Sequence, residues 1–298
     1  MIKKENKIIN TISAFLLSLA IVICVAVSAL YISVLSQESI LATLNKSNYY
    51  EGVQKNVLEN ASDFLIPTGL PGKILDGVFP KEDIEEMVNG QIQGTTSVQN
   101  SQLIETKNRT KIKANIDAYL KEIGVAKGEV SEKELDSIMD SLVDEFQKYT
   151  SFPFVAQLVR IREIYKMVMW IVLGACFLLG VGMMVFLYKA NQRKHVFIRC
   201  MAYSFGGAAL MLALFPLIMR NMGIYERIKI SPQYVYYFCV SHIRKGLDSL
   251  IGCGIVAFIC MVGFAILSER MRRKLISKQK ENELRRRKAL KASESEVV

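Results

Sequence analysis

Two histidines, six cysteines and one acidic run are the side chains in this sequence best suited to hold a metal or move a proton. His195 and His242 fall in different parts of the chain and, on the topology derived below, on opposite sides of a membrane, so they cannot share a site. The cysteines Cys24, Cys176, Cys200, Cys239, Cys253 and Cys260 show no CxxC or Cys/His spacing of the kind that tetrahedral zinc needs. Only Cys239 lies outside the apolar runs, so no disulfide framework is implied. Glu82, Asp83, Glu85 and Glu86 follow Phe79-Pro80, where carboxylates in a first helical turn face the positive end of the macrodipole. That predicts a solvated acidic face, not a cation site. GxSxG, HExxH and Walker signatures are absent, and the expectation is a protein without enzymatic activity, cofactor or bound metal.

The elements that carry these residues are set by hydropathy. Of 298 residues, 51% are hydrophobic, and they are blocked instead of dispersed. Apolar runs at 8–35, 167–188, 196–219 and 247–268 are each long enough to cross a hydrocarbon layer of about 30 Å. They lack the two-residue alternation of barrel strands, which leaves the helix as the structure that satisfies every backbone group in lipid. The expected fold is an all-α membrane protein with four transmembrane helices and an all-α extracytoplasmic domain inserted between helices one and two. Lys3, Lys4 and Lys7 before the first run resemble a signal peptide, with Val27-Ser28-Ala29 as a cleavage site. Apolar sequence continues to Leu35, which favours an uncleaved anchor, and Ile23 is too bulky to precede a lipidated Cys24.

Basic residues orient the spans in the cell membrane. Lys3, Lys4 and Lys7, then Lys189, Arg193 and Lys194, then the bases after the fourth run all fall on one side. Residues 1–7, the turn 189–195 and the tail 269–298 are therefore expected in the cytoplasm, with 36–166 and 220–246 outside. Tyr31, Tyr165 and Trp170 suit the outer boundary and Tyr188 the inner one. The loop 220–246 departs from the rule, carrying Arg220, Arg227, Lys229, Arg244 and Lys245 against Glu226, beside an acidic larger segment. Charge-driven docking between the two is expected. In the tail, Arg270, Arg272, Arg273 and Lys274, with Arg285-Arg286-Arg287-Lys288 beyond, are each attracted to anionic lipid headgroups by roughly 1 kcal/mol. That accounts for the net charge of +10 without nucleic acid.

Small residues four apart let helices approach in lipid. Ala20, Cys24 and Ser28 mark span one, Cys176 and Gly180 span two, Cys200, Ser204 and Ala208 span three, and Ser249, Cys253 and Ala257 span four. A compact four-helix bundle follows. Arg199 and Asp248 lie close enough to span ends to reach water, and Pro216 marks a kink or helix end. Transporters keep ionisable groups at mid-depth, where these spans carry no Asp, Glu or Lys, and four spans are few for transport unless the protein oligomerises.

Between spans one and two the period is helical. Ser131 and Glu134 form a capping box before Leu135, Ile138, Met139, Leu142, Val143 and Phe146. Ile112, Ile116, Tyr119, Leu120 and Ile123 make a second stripe closed by Gly124, and Tyr50, Val53, Val57 and Phe64 a third after Ser47. Pro67 to Gly72 breaks the chain, a helix opened by Pro80 ends near Gly90, and 94–101 reads as a flexible loop. Ser231-Pro232 starts a helix whose Tyr234, Tyr236, Tyr237 and Phe238 suit either a membrane interface or packing against the larger domain. Asn45, Asn60 and Asn108 sit in N-x-S/T sequons that matter only in a eukaryotic secretory setting, and the Lys-rich composition points to a bacterium.

Tyr49-Tyr50, Leu65-Ile66-Pro67, and Arg193-Lys194-His195 through Arg199 to Ala202-Tyr203 give the chain its likeness to uncharacterised four-span integral membrane proteins of Gram-positive bacteria. That likeness implies the architecture and no activity. The order of one span, a large outer domain, two spans on a short basic turn, a small outer loop and a last span resembles the FtsX family of division permeases. This resemblance implies a cytoplasmic ATPase partner and outer cell-wall hydrolases. The leading expectation is a non-enzymatic envelope interaction, sensing or regulatory protein, with the bilayer and an envelope protein or a second copy as partners. The alternatives are an FtsX-like transmission subunit and an oligomeric small channel or transporter.

Overall fold

A computed structural model describes residues 2–94, 98–124, 132–152, 155–191 and 194–295. Among the described residues there are no strands. The helices are α1 (Ile2–Leu30), α2 (Gln37–Lys46), α3 (Tyr49–Leu65), α4 (Lys81–Gln93), α5 (Val98–Glu122), α6 (Glu132–Thr150), α7 (Val155–Ala190), α8 (Lys194–Met222) and α9 (Gln233–Ser295). A π-helical turn, Tyr31–Leu35, extends α1, and short 3-10 turns occupy Ile66–Thr68, Gly72–Leu75 and Ile224–Arg227.

The chain divides into two compact units: residues 1–31, 166–223 and 246–298 form a span unit, and 32–165 with 224–245 an inter-span unit. Four helical stretches, on α1, α7, α8 and α9, are long and apolar enough to cross a membrane, with mean hydropathies of 2.7, 2.4, 1.8 and 2.7 in their best windows.

Within the span unit the helices do not share a core equally. α1 and α8 form the intimate pair: Ala14, Leu17 and Ser18 of α1 are buried, as are Cys200, Ser204 and Ala208 of α8. The Ser204 hydroxyl reaches the Ala14 carbonyl at 2.9 Å and its own-helix Cys200 carbonyl at 3.0 Å. A methyl group on Gly207 would stand 2.7 Å from Ser18 Oγ, which shows how closely the backbones run. Asn191, the residue after α7, is joined to Asn10 of α1 by reciprocal amide bonds at 2.9 and 3.1 Å. α9 meets α8 through Gly254, where a Cβ would lie 2.8 Å from Ala213 Cβ, and through stacking of Phe205 on Phe264 at 5.3 Å. The expected compact bundle is thus a close pair flanked by two helices whose apolar side chains stay largely exposed, including Ile171, Phe177 and Leu178 on α7 and Ile255, Val256 and Ile259 on α9. Lipid is the solvent that suits such surfaces, because burial between helices gains little there. Pro216 lies inside α8, which continues to Met222, so it does not end the helix.

The inter-span unit has a conventional apolar core. Tyr49, Tyr50, Val53, Val57, Ala61 and Leu65 make one fully buried face of α3. Phe64, expected on that stripe, is 37% exposed, because the buried positions Val53, Val57, Ala61 and Leu65 are spaced four apart and the stripe passes through Leu65 instead. Ile84, Val88 and Ile92 of α4, Ile104, Ile112 and Ile116 of α5, and Met139, Leu142, Val143 and Phe146 of α6 complete the core. Phe79 stacks on Phe146 at 4.8 Å. α5 braces the turns before α4: Asn115 Nδ2 donates to the Ile74 carbonyl at 2.7 Å and Lys111 Nζ to the Gly77 carbonyl at 3.0 Å.

Several sequence expectations shift here. α4, expected to end near Gly90, runs on to Gln93 and is closed by Gly94 in the left-handed conformation at φ 69°. Residues 98–101, expected as loop, are the first turn of α5. Gly124 does close α5, at φ 76°, but Ile123 beside it is exposed. Ser131 of the capping box lies outside the described residues.

Candidate functional site

α2 opens the site. Ser36 Oγ accepts a hydrogen bond from the Ser39 amide at 3.2 Å, capping a helix that places Ser39, Ile40, Thr43 and Leu44 inward. It sits between the end of the first apolar run and the helix expected after Ser47. The local signal was Ser36 followed by Ile40 and Leu44 at helical spacing.

The first turns of α9 run against α2 and α3. Tyr234 lies on Gly52 so tightly that any Cβ there would overlap the Tyr234 side chain. Around this contact, Tyr49 meets Tyr234 edge-on at 5.1 Å, Phe152 at 5.7 Å and Phe238 at 6.0 Å, and Phe152 meets Phe238 at 5.6 Å. Tyr234, Phe238 and Cys239 thereby join the core built by α3 to α6. Of the two roles open to these aromatics, packing against the larger domain is the one observed. Among the described residues no ion pair joins this loop to the acidic segment: Arg244 pairs with Glu226 of the loop itself at 2.7 Å, and Arg220 pairs with Asp248 at 2.6 Å within the span unit.

One turn beyond Phe238, His242 stacks on its ring at 5.3 Å. Its Nε2 lies 2.7 Å from the Val34 carbonyl in the π-helical turn, and its Nδ1 lies 3.2 Å from Thr43 Oγ1 on α2. Thr43 Oγ1 also reaches the Ser39 carbonyl at 2.8 Å, and Lys245 Nζ donates to that carbonyl at 3.3 Å. Burial pushes the His242 imidazole below its ordinary value of 6.5 and Lys245 adds to this, while the bond to Val34 works against it. Burial likewise raises the Tyr49 phenol and, with Glu85 adding to it, holds Tyr50 at about 12, so both rings stay neutral at physiological pH. No group of three or more metal-ligating side chains comes together among the described residues.

The acidic run is only partly a solvated face. Asp83 is buried with its Oδ1 2.6 Å from Lys107 Nζ, because it lies on the inward side of α4 beside Ile84. Asn108 is fully buried on α5, so its sequon is closed to modification in the folded chain.

Among the expected packing residues, Ala20, Cys176, Cys200, Ser204, Ala208 and Ala257 are buried. Cys24, beside Cys176, is half-buried, as are Ser28, Ser249 and Cys253, and Gly180 lies 3.9 Å from Leu17. The close approaches at Gly207 and Gly254 within the span unit were absent from the expected set. Arg270, Arg272, Arg273 and Lys274 project from α9 into solvent, with Arg272 and Arg273 3.5 and 3.2 Å from Glu269. The surface of the inter-span unit carries an open groove of about 590 Å³ walled by Leu70, Tyr119, Leu120, Ile123, Leu135 and Ile138.

No family model, curated protein or solved structure matches this chain.

Proposed function

We propose that this is a non-enzymatic membrane protein whose inter-span unit faces the cell exterior and binds or senses an envelope component. The single observation that carries the reading is the joint. Two segments far apart in sequence fold into one core, and the chain passes between this unit and the spans at residues 31/32, 165/166, 223/224 and 245/246. A body tied at four points to membrane-crossing helices is suited to report its own state. Its exposed Ile66 (70%) and Ile123 (50%) are apolar side chains that a partner would cover.

Photo-crosslinking groups placed at Ile66 and Ile123 in native membranes test this. A discrete adduct with one envelope protein is expected. Adducts absent from both positions would overturn the reading, and co-purification of a cytoplasmic ATPase would replace it with the FtsX-like transmission subunit.

A further inference from the structure

We propose that the segment 224–230, just after α8, is a lipid-binding edge: Ile224 and Ile228 enter the near leaflet of the membrane, and Arg227 and Lys229 receive anionic phospholipid headgroups. Charge is the first observation. Residues 220–246 hold five bases, Arg220, Arg227, Lys229, Arg244 and Lys245, and one acid, Glu226. Arg244 takes Glu226 at 2.7 Å, Arg220 is paired with Asp248 at 2.6 Å, and Lys245 Nζ donates to the Ser39 carbonyl at 3.3 Å. Arg227 and Lys229 remain exposed, with no carboxylate at ion-pair distance among the described residues. Hydropathy is the second: Ile224 and Ile228 are both 43% exposed, and Ile228 stands between the two unpaired bases.

Position is the third. α8 ends at Met222, and the 3-10 turn Ile224–Arg227 rises about 2 Å per residue, so Ile228 lies within roughly 15 Å of the end of that apolar helix. The segment is also held in shape. Tyr225 is buried, the Tyr236 hydroxyl donates to the Glu226 carbonyl at 2.9 Å, and Arg244 grips the Glu226 carboxylate, so little ordering is left for lipid to impose. In water, exposed isoleucines beside uncompensated bases gain nothing. At a bilayer surface the apolar chains reach the acyl boundary while the bases meet phosphate, and the two gains add. Attraction of a base to an anionic surface fades within about 10 Å at moderate salt, which the short reach from α8 satisfies. Headgroup binding also gives a reason for bases in a loop where the positive-inside rule expects few.

The proposal rests on reading the four apolar helices as spans, and not on which side the inter-span unit faces or on any envelope partner. A genetically encoded, polarity-sensitive fluorescent amino acid is placed at Ile228 of the full-length chain and, as a water-exposed reference, at Asp144 in a second chain. Both are reconstituted into nanodiscs of phosphatidylcholine, with or without phosphatidylglycerol, that contain a lipid bearing a nitroxide close to its headgroup. Emission from position 228 is expected to be blue-shifted and quenched several-fold more than emission from 144. Quenching should rise with the phosphatidylglycerol fraction and fall as salt approaches about 1 M, where screening acts within about 3 Å. Arg227→Gln combined with Lys229→Gln removes the dependence on phosphatidylglycerol and leaves the helical circular dichroism unchanged. A probe at 228 as wet as the one at 144 overturns the proposal, and so does quenching that ignores both phosphatidylglycerol and salt. The salt response is read with both bases present, so it decides the matter even if the double variant does not fold. A chain that fails to enter nanodiscs removes the span reading and this proposal with it, whereas missing crosslinks at Ile66 and Ile123 leave the proposal standing.

Discussion

At the scale of single residues, the contact between Gly52 and Tyr234 decides more than any charged pair. Surface ion pairs such as Lys81 with Glu51 are screened by water and contribute little, whereas a side chain forced into a packed aromatic cluster costs about 1–3 kcal/mol. Gly52→Ala is thus expected to lower the thermal midpoint in mild detergent and to expose Cys239 to thiol reagents. An unchanged midpoint would show that Tyr234 can leave α3 without cost. The aromatics at 234–238 were legible in sequence as a group needing cover, because an apolar ring with one polar edge fits either interface or core. His242 was not legible as a bridge, since nothing local marks partners some 200 positions away.

At the scale of elements, α1 and α8 hold the span unit. Lipid does not drive helices together, so contact distance and the Ser204 hydroxyl to Ala14 carbonyl bond carry the pairing, a bond of this kind averaging about 0.6 kcal/mol. Gly207→Leu should separate the pair and lower stability by about 1–3 kcal/mol, while Ser204→Ala should cost less than 1 kcal/mol. Thermal denaturation in detergent followed by helical circular dichroism ranks them, and a reversed order would shift the pairing from close packing to hydrogen bonding. The small-residue spacing found this face of α8 because period four is local. It passed over Gly207 and Gly254 because which glycine meets a neighbour depends on helix rotation, which a single helix does not specify. α2 went unread for a related reason: ten residues is too short for periodicity to stand out between an apolar run and α3.

At the scale of the whole molecule, the proposed orientation makes a direct prediction. Asp144, exposed on α6, is replaced by cysteine in a chain whose native cysteines, all free, are removed. A membrane-impermeant maleimide should label Asp144→Cys in intact cells, and Lys280→Cys on the distal part of α9 only after lysis. The opposite pattern would invert the topology.

The sequence by itself determined that the chain is helical and has four stretches able to cross a membrane, because length and hydropathy are properties of contiguous residues and lipid admits few other backbone solutions. It also determined most of the buried stripes of α3, α5 and α6, for the same local reason. Only the tertiary structure decided that residues 224–245 complete the core of residues 32–165, that Asp83 turns inward to Lys107, and that His242 ties three segments together. Those outcomes depend on which faces meet. Meeting is settled by shape and by the cost of leaving a polar group unpaired, neither of which can be summed along the chain.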